Sequence, residues 1–191
     1  MRKIILASSS PRRREILSKL GFPFEVKTSN YKEDMGLPLP PSELAKFLSA
    51  GKALSVSNEN PGSLVIAADT FVMHQGTLLG KPKTERDAIA MLKMLSGKEN
   101  DIVTGVTIVD GLSGNKSSFH EITKVFMRDI TEQEIHAYVR TGEPLDKAGA
   151  YALQELGAIF IQRIEGDFFN AMGLPLARLA RELEGFGIKI L

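Results

Sequence analysis

Two short apolar runs, Ile4-Ile5-Leu6-Ala7 and Leu64-Val65-Ile66-Ala67-Ala68, set the terms on which this chain can fold. Each is unbroken, each ends abruptly in polar residues, and neither approaches the length of a membrane span. Runs of this length suit strands covered on both faces, and such strands need helices to cover them. Helical patterns follow at once. After the first run, Ser10 is a suitable N-cap, Pro11 fits the first helical position, and Ile16, Leu17 and Leu20 repeat at helical spacing until Gly21. Phe24 to Thr28 reads as a second strand and Ser29 to Pro41 as a long polar loop. Ser42 is expected to open a helix with the stripe Leu44, Phe47, Leu48 and Gly51, and with Lys52 on its margin.

The second run ends on Asp69-Thr70 before Phe71 and Val72 resume the apolar character, which predicts a strand ending on a carboxylate. A turn at Gln75-Gly76 and a capped helix from Thr84 with Ile89, Leu92 and Leu95 inward come next. Ile102 to Val109 and Ser117 to Met127 alternate and flank a turn over residues 110–115, the pattern of an antiparallel hairpin. Thr131 and Glu134 cap a further helix, Ala158 to Ile164 is expected to be a strand, and the last helix begins at Pro175. No repeat and no linker interrupts the 191 residues. The expected architecture is one α/β body with an antiparallel component.

Composition narrows the chemistry. With 43% hydrophobic and 25% charged residues the chain is globular. Its 24 basic and 23 acidic residues leave a net charge of +1, so no broad field attracts nucleic acid or membrane, and an anionic ligand must bind a local cluster. There is no Cys, which excludes disulfides, thiolate metal sites and Cys nucleophiles and leaves hard, oxygen-ligated metals. Only Ile4 to Ala7 separate Arg2-Lys3 from the serines, far short of a signal peptide's apolar region, and a cytoplasmic location is expected.

Two segments stand out chemically. Ser8-Ser9-Ser10-Pro11-Arg12-Arg13-Arg14 places hydroxyls and guanidinium groups at a helix start, where unpaired N–H groups and the macrodipole attract anions. It is either a phosphate cradle or a capped helix with solvated arginines; three arginines opposing the dipole favour the cradle. Asp69 is either a turn cap or a group that holds a metal or activates water. Glu33 and Asp34 lie on the polar loop, Lys52 on a helix margin and Lys81 in Gly80-Lys81-Pro82, each open to a bland reading as solvated charge or turn. Gly76 to Lys81 fails as a phosphate-binding P-loop, since the glycine spacing is short and Pro82 replaces Ser or Thr. His74, His120 and His136 match no histidine motif.

Taken together, residues 6–13, Ala67-Ala68-Asp69-Thr70, Gly80-Lys81-Pro82, residues 142–151 and residues 170–175 resemble the ordered signature blocks of the Maf family of nucleoside triphosphate pyrophosphatases. The resemblance implies a mixed α/β fold of inosine-triphosphatase type, an elongated central sheet flanked by helices with a nucleotide-binding cleft, built as a single domain over residues 1–191. It implies hydrolysis of a nucleoside triphosphate to monophosphate and pyrophosphate with a divalent cation, Mg²⁺ or Mn²⁺, held by Glu33 and Asp69. By the same resemblance Asp69 is the proton acceptor, Ser8, Ser10, Arg12 and Arg13 form the phosphate and base loop, and Lys52 and Lys81 are cleft lysines. Arg12, Thr70 and Gln154 match the selectivity positions of the dTTP and UTP branch; a 7-methyl-GTP or broader pyrophosphatase is the alternative. A homodimer is implied, with no membrane or stable nucleic-acid partner. Departures occur at Lys32, where an acid is usual, and at Glu155, which adds a carboxylate beside Gln154. A nucleotide-binding division regulator without turnover and a small RNA-binding domain are the competing readings; the acid cluster argues against the first and the sparse aromatics against the second.

Overall fold

The computed structural model describes residues 2–191. Among these the strands are β1 (Ile4–Ala7), β2 (Glu25–Lys27), β3 (Leu64–His74), β4 (Thr77–Leu79), β5 (Glu99–Asp110), β6 (Lys116–Met127) and β7 (Ile161–Glu165). The helices are α1 (Pro11–Ser18), α2 (Pro41–Glu59), α3 (Glu85–Leu95), α4 (Glu132–Val139), α5 (Phe168–Ala171) and α6 (Leu176–Glu184), with 3₁₀ segments at Glu143–Asp146, Ala148–Ala150 and Leu156–Phe160. The strands form one sheet in the order β2-β1-β3-β5-β6-β7, with β4 paired to β3. β1 is parallel to β2 and β3, while β3–β4 and β6–β7 are antiparallel. The expected mixed α/β fold is therefore the observed one.

The chain divides into two compact units, one of Met1–Asp69, Thr104–Glu121 and Gly173–Leu191, the other of Thr70–Val103 and Ile122–Met172. In the first, Ile5, Ala7, Val65 and Ala67 occupy alternate positions of β1 and β3 and pack with Ala53 and Val56 of α2 and with Val109. Strand side chains alternate between faces, so Asp69 continues the row of Val65 and Ala67 that carries α2. Each fully buried Ile or Val in this core contributes about 1.5–3 kcal/mol. A chain of hydroxyls leading from this core to the surface adds to it: the buried Ser49 Oγ lies 2.8 Å from Thr107 Oγ1, which lies 2.9 Å from Ser118 Oγ. In the second unit, Ala88, Leu92 and Leu95 of α3, Ile135, Tyr138 and Val139 of α4, and Tyr151, Leu153 and Phe160 close around Val72, Ile102 and Val125.

Three local expectations change. Helix α2 starts at Pro41 after Pro40, whose side chain makes no cap, so Ser42 lies inside the first turn. Two prolines fix the helical entry through φ alone. Strand β3 does not end at Asp69 but runs on to His74, because Phe71 and Val72 keep it buried and Gln75 and Gly76, both with positive φ, turn it into β4. Of the strand expected at Ala158–Ile164, residues up to Phe160 form a 3₁₀ segment, since Phe160 is buried in the second core while Ala158 and Ile159 are exposed.

Gly105 of β5 is where α2 comes closest to the strand: a Cβ there would overlap the backbone of Ala45 and Lys46. Gly105→Ala is therefore expected to force α2 away at a cost of about 1–3 kcal/mol. A thermal denaturation midpoint equal to that of the parent protein would show that the helix is free to shift.

Candidate active site

In the first unit the carboxylates of Glu33 and Asp69 converge on one atom, the ammonium nitrogen of Lys52. It donates to Asp69 Oδ1 and lies 2.9 Å from Glu33 Oε1. The Asp69 side chain is only 8% exposed, Lys52 13% and Glu33 42%, so the pair is deep and the glutamate forms its outer lip. Burial raises the Asp69 carboxyl above its ordinary value, and Glu33 adds to this; Lys52 and Arg13 oppose it without cancelling it. The result is a buried carboxyl more basic than a solvent-exposed aspartate. Glu33 reaches Lys52 because its loop is fastened nearby: the Tyr31 ring packs on Gly51, where any Cβ would overlap it. Asp34 faces a different task, accepting from the N–H of Gly36 at 2.9 Å within its own turn.

The serine loop is ordered by its own hydroxyls. Ser10 caps α1, its Oγ accepting from Arg13 N–H at 3.4 Å, and Ser8 Oγ accepts from Ser10 N–H at 3.2 Å. The Arg13 guanidinium donates from Nε to the carbonyl of Gly173 at 2.8 Å and from Nη1 to Ser8 Oγ at 3.4 Å. Burial pulls Arg13 below the ordinary arginine value; Asp69 and Glu33 raise it and Arg12 lowers it. Arginine stays cationic, and its interactions with Asp69 and Glu33 place Arg13 in the same electrostatic cluster, with Arg12 beside it in the chain. Beside the loop a cavity of about 980 Å³ is lined by Ser8, Ser9, Ser10, Arg14, Phe22 and Phe24. Within this unit the structure thus brings together Ser8, Ser10, Arg12, Arg13, Glu33, Lys52 and Asp69.

Thr70, Lys81 and Gln154 belong to the second unit. Thr70 is half-buried in β3, directly after Asp69 in the chain, and Lys81 is exposed between β4 and α3. The turn bearing Lys81 is tied at Gly80, whose carbonyl accepts from Gly149 N–H at 3.1 Å. Gln154 has a buried amide nitrogen, Nε2, with no hydrogen-bond partner. Buried donors are rarely left so, and a ligand acceptor would satisfy it. The residues that sequence reasoning left without a role are Glu143, Lys147 and Tyr31. Glu143 and Lys147 lie in the quoted 142–151 block, so the signal was present, but nothing in a lysine among small residues announces that it becomes buried.

Two oxygen donors, Glu33 and Asp69, meet at one cationic point, and no group of three or more His, Asp or Glu that could hold a metal occurs among the described residues. That donor set suits Mg²⁺ or Mn²⁺, since Mg²⁺ usually takes one or two carboxylates and completes its shell with water and substrate phosphates.

Residues 3–186 match the family described as Maf-like protein. The chain is 48% identical over 187 residues to a dTTP/UTP pyrophosphatase of Geobacillus sp. (strain WCH70), covering 98% of this chain and 100% of that one. It is 45% identical over 188 residues to a dTTP/UTP pyrophosphatase of Bacillus pumilus (strain SAFR-032), with 98% of each covered. Among solved structures, the Staphylococcus aureus Ham1 protein aligns with a TM-score of 0.49 at 13% identity, over 67% of this chain and 73% of that one.

The electrostatics of the cluster are directly measurable. Lys52→Met removes the main cation opposing the burial of Asp69, so the Asp69 carboxyl is expected to titrate higher still in that variant. Carbon-13 NMR titration of the carboxyl tests this, and an unchanged or lower value refutes the pairing.

Proposed function

The chain belongs to the Maf-like protein family, and from that membership we propose that it is a nucleoside triphosphate pyrophosphatase converting dTTP and UTP to the monophosphate and pyrophosphate. Relatives bearing that activity in their names are 45–48% identical over almost the whole of both chains. The structural observation that carries the proposal is the buried Asp69 carboxyl paired with Lys52, which also meets Glu33, with Arg13 in the same electrostatic cluster. Hydrolysis of a phosphoanhydride needs a base for water and cations for the phosphates, and this cluster has both.

In the proposed reaction a water oxygen bonds to the α-phosphorus in line with the bridging oxygen to the β-phosphorus. The water proton passes to the Asp69 carboxylate, the α-phosphorus to bridging-oxygen bond breaks, and pyrophosphate leaves with the electron pair. We assign Ser8, Ser10 and Arg13 to the phosphates through hydroxyl and guanidinium donors, with Lys52 and Lys81 neutralising the departing pyrophosphate. Glu33 and Asp69 would hold the divalent cation, Mg²⁺ or Mn²⁺, which supplies charge neutralisation along the phosphates when bound. Arg12, Thr70 and Gln154 are assigned to base selection. The unpartnered Gln154 Nε2 is a donor, and thymine and uracil offer O4 as acceptor where cytosine offers an amino group. No helix among the described residues is long and apolar enough to cross a membrane. A cytoplasmic homodimer, each chain acting as one domain over residues 1–191, completes the proposal and rests on the family resemblance.

Pyrophosphate release measured across a panel of triphosphates, with metal and with EDTA, tests the reaction class; no release from any of them with metal present would leave a nucleotide-binding regulator. Asp69→Asn is expected to lower kcat by about 10²–10⁴-fold while nucleotide still binds. Because burial raises the Asp69 carboxyl, it is expected to titrate in the metal-free protein through a range above that of an exposed aspartate, as followed by carbon-13 NMR. A titration of Asp69 in the ordinary aspartate range, or near-normal turnover in Asp69→Asn, counts against this assignment.

Base selection is tested separately. Gln154→Ala is expected to lower the dTTP over CTP ratio of kcat/KM by roughly three- to tenfold, the effect of one neutral hydrogen bond. An unchanged ratio removes Gln154 from the pocket.

A further inference from the structure

Gln154 lies in a segment whose backbone is held at several points, all within the second unit. Glu143 accepts from the N–H groups of Leu156 at 3.0 Å and Gly157 at 2.9 Å, and from the Tyr138 hydroxyl at 2.8 Å. Gly157 leaves no room for a side chain, since a Cβ would press on Tyr138 and on the backbone of Ala152. On the other side of the segment, the Tyr151 hydroxyl donates to Asn100 Oδ1 at 2.7 Å. Ala150, fully buried, adopts φ of 62° directly after Gly149 at 68°. A left-handed alanine costs about 1 kcal/mol or more and persists only where its surroundings fix it.

One constraint in this segment is ionic. The Lys147 side chain is only 7% exposed; its ammonium pairs with its neighbour Asp146 and lies 3.3 Å from Glu155 Oε2. A buried ammonium is costly unless paired, so Lys147 draws carboxylates to itself. The Asp146 side chain is 69% exposed and adjacent in sequence, so that pair constrains little. Glu155 is different: it directly follows Gln154, and its pairing ties the backbone on both sides of residues 148–154.

We propose that Lys147 is a specificity-positioning residue that acts through Glu155 to hold the Gln154 amide in the orientation that selects the pyrimidine base. The inference rests on the base-selecting reading of Gln154 given above. The charge of Lys147 is already committed to two carboxylates, so its role is to fix a neutral hydrogen-bonding group and not to bind phosphate. A loosened amide still permits binding and hydrolysis, but it pairs less selectively.

The test compares kcat/KM for dTTP and CTP in the intact protein. Glu155→Gln, at a partly exposed position, keeps the side-chain volume and removes the charge. It is expected to lower the dTTP over CTP ratio roughly three- to tenfold while kcat for saturating dTTP is retained. Lys147→Met is expected to lower the ratio by the same factor, the double variant to fall no further, and Lys147→Arg to keep the parent ratio. If Lys147→Met does not fold, Glu155→Gln decides alone. A shifted ratio in Gln154→Ala with an unchanged ratio in Glu155→Gln overturns the inference and leaves the base-selecting reading intact. Equal losses for dTTP and CTP in Lys147→Met, additive with Glu155→Gln, also overturn it by making Lys147 a direct ligand. An unchanged ratio in Gln154→Ala removes the reading on which the inference depends.

Discussion

The contact between Lys52 and Asp69 is the interaction on which the candidate site depends. A carboxylate in the row of Val65 and Ala67 is out of place energetically, because its neighbours on that face are apolar and covered by α2. Lys52 reaches it from α2 itself, just before the buried Ala53, so the helix that imposes the burial also carries the counter-charge. The match is incomplete, and Asp69 stays more basic than an exposed aspartate. For the proton acceptor proposed here that residual mismatch is useful: a fully compensated aspartate would be a weak base, and an uncompensated one would remain protonated.

Several small residues make this arrangement possible. Gly105 lets the α2 backbone approach β5, and Gly51 receives the Tyr31 ring, which fastens the loop carrying Glu33 near Lys52. Arg13 is fixed by the Gly173 carbonyl and by Ser8, so its guanidinium adds to the cluster from the α1 side. Nothing here requires an unusual helix: α1 carries no acid in its first turn and three arginines against its dipole, a local cost that makes sense where an anion supplies the missing negative charge. The near-zero net charge conceals all of this, because the acids and bases of the cluster cancel in the sum but not in space.

Much of this was legible in the sequence where local chemistry determines the outcome. The capping boxes at Thr84 and Thr131 are complete in the structure, Ser10 caps α1, and the long alternating strands flank the turn over residues 110–115. Legibility failed where tertiary packing overrode a local cue. Asp69 looked like a strand terminus because a charge is costly inside a strand, yet Phe71 and Val72 pull β3 onward into the buried interior. Ala158 and Ile159 had the composition of a strand but twist into a 3₁₀ segment so that Phe160 can enter the core beside Tyr138, their rings edge to face at 5.1 Å. The convergence of Glu33 on Lys52 likewise depends on a tyrosine and a glycine 20 residues apart in the chain, a pairing that no periodicity announces.

The two groups of residues assigned to the substrate work under different physical rules, and this explains why their surroundings differ. Charge acts over several ångströms and tolerates small displacements, so an exposed Lys81 is adequate for the phosphates and a half-open Glu33 for the proposed cation. A neutral amide discriminates only through hydrogen-bond direction, which fails steeply with misalignment. Selectivity from Gln154 therefore demands a rigid frame. The chain supplies one at some cost, with a left-handed buried alanine, a buried lysine and a carboxylate that accepts three hydrogen bonds within residues 143–157. For stability alone, an apolar residue in place of Lys147 or a glycine in place of Ala150 would relieve the cost more simply. Their concentration around Gln154, the one amide among the described residues with an unsatisfied buried donor, is what ties the frame to the proposed recognition of the base.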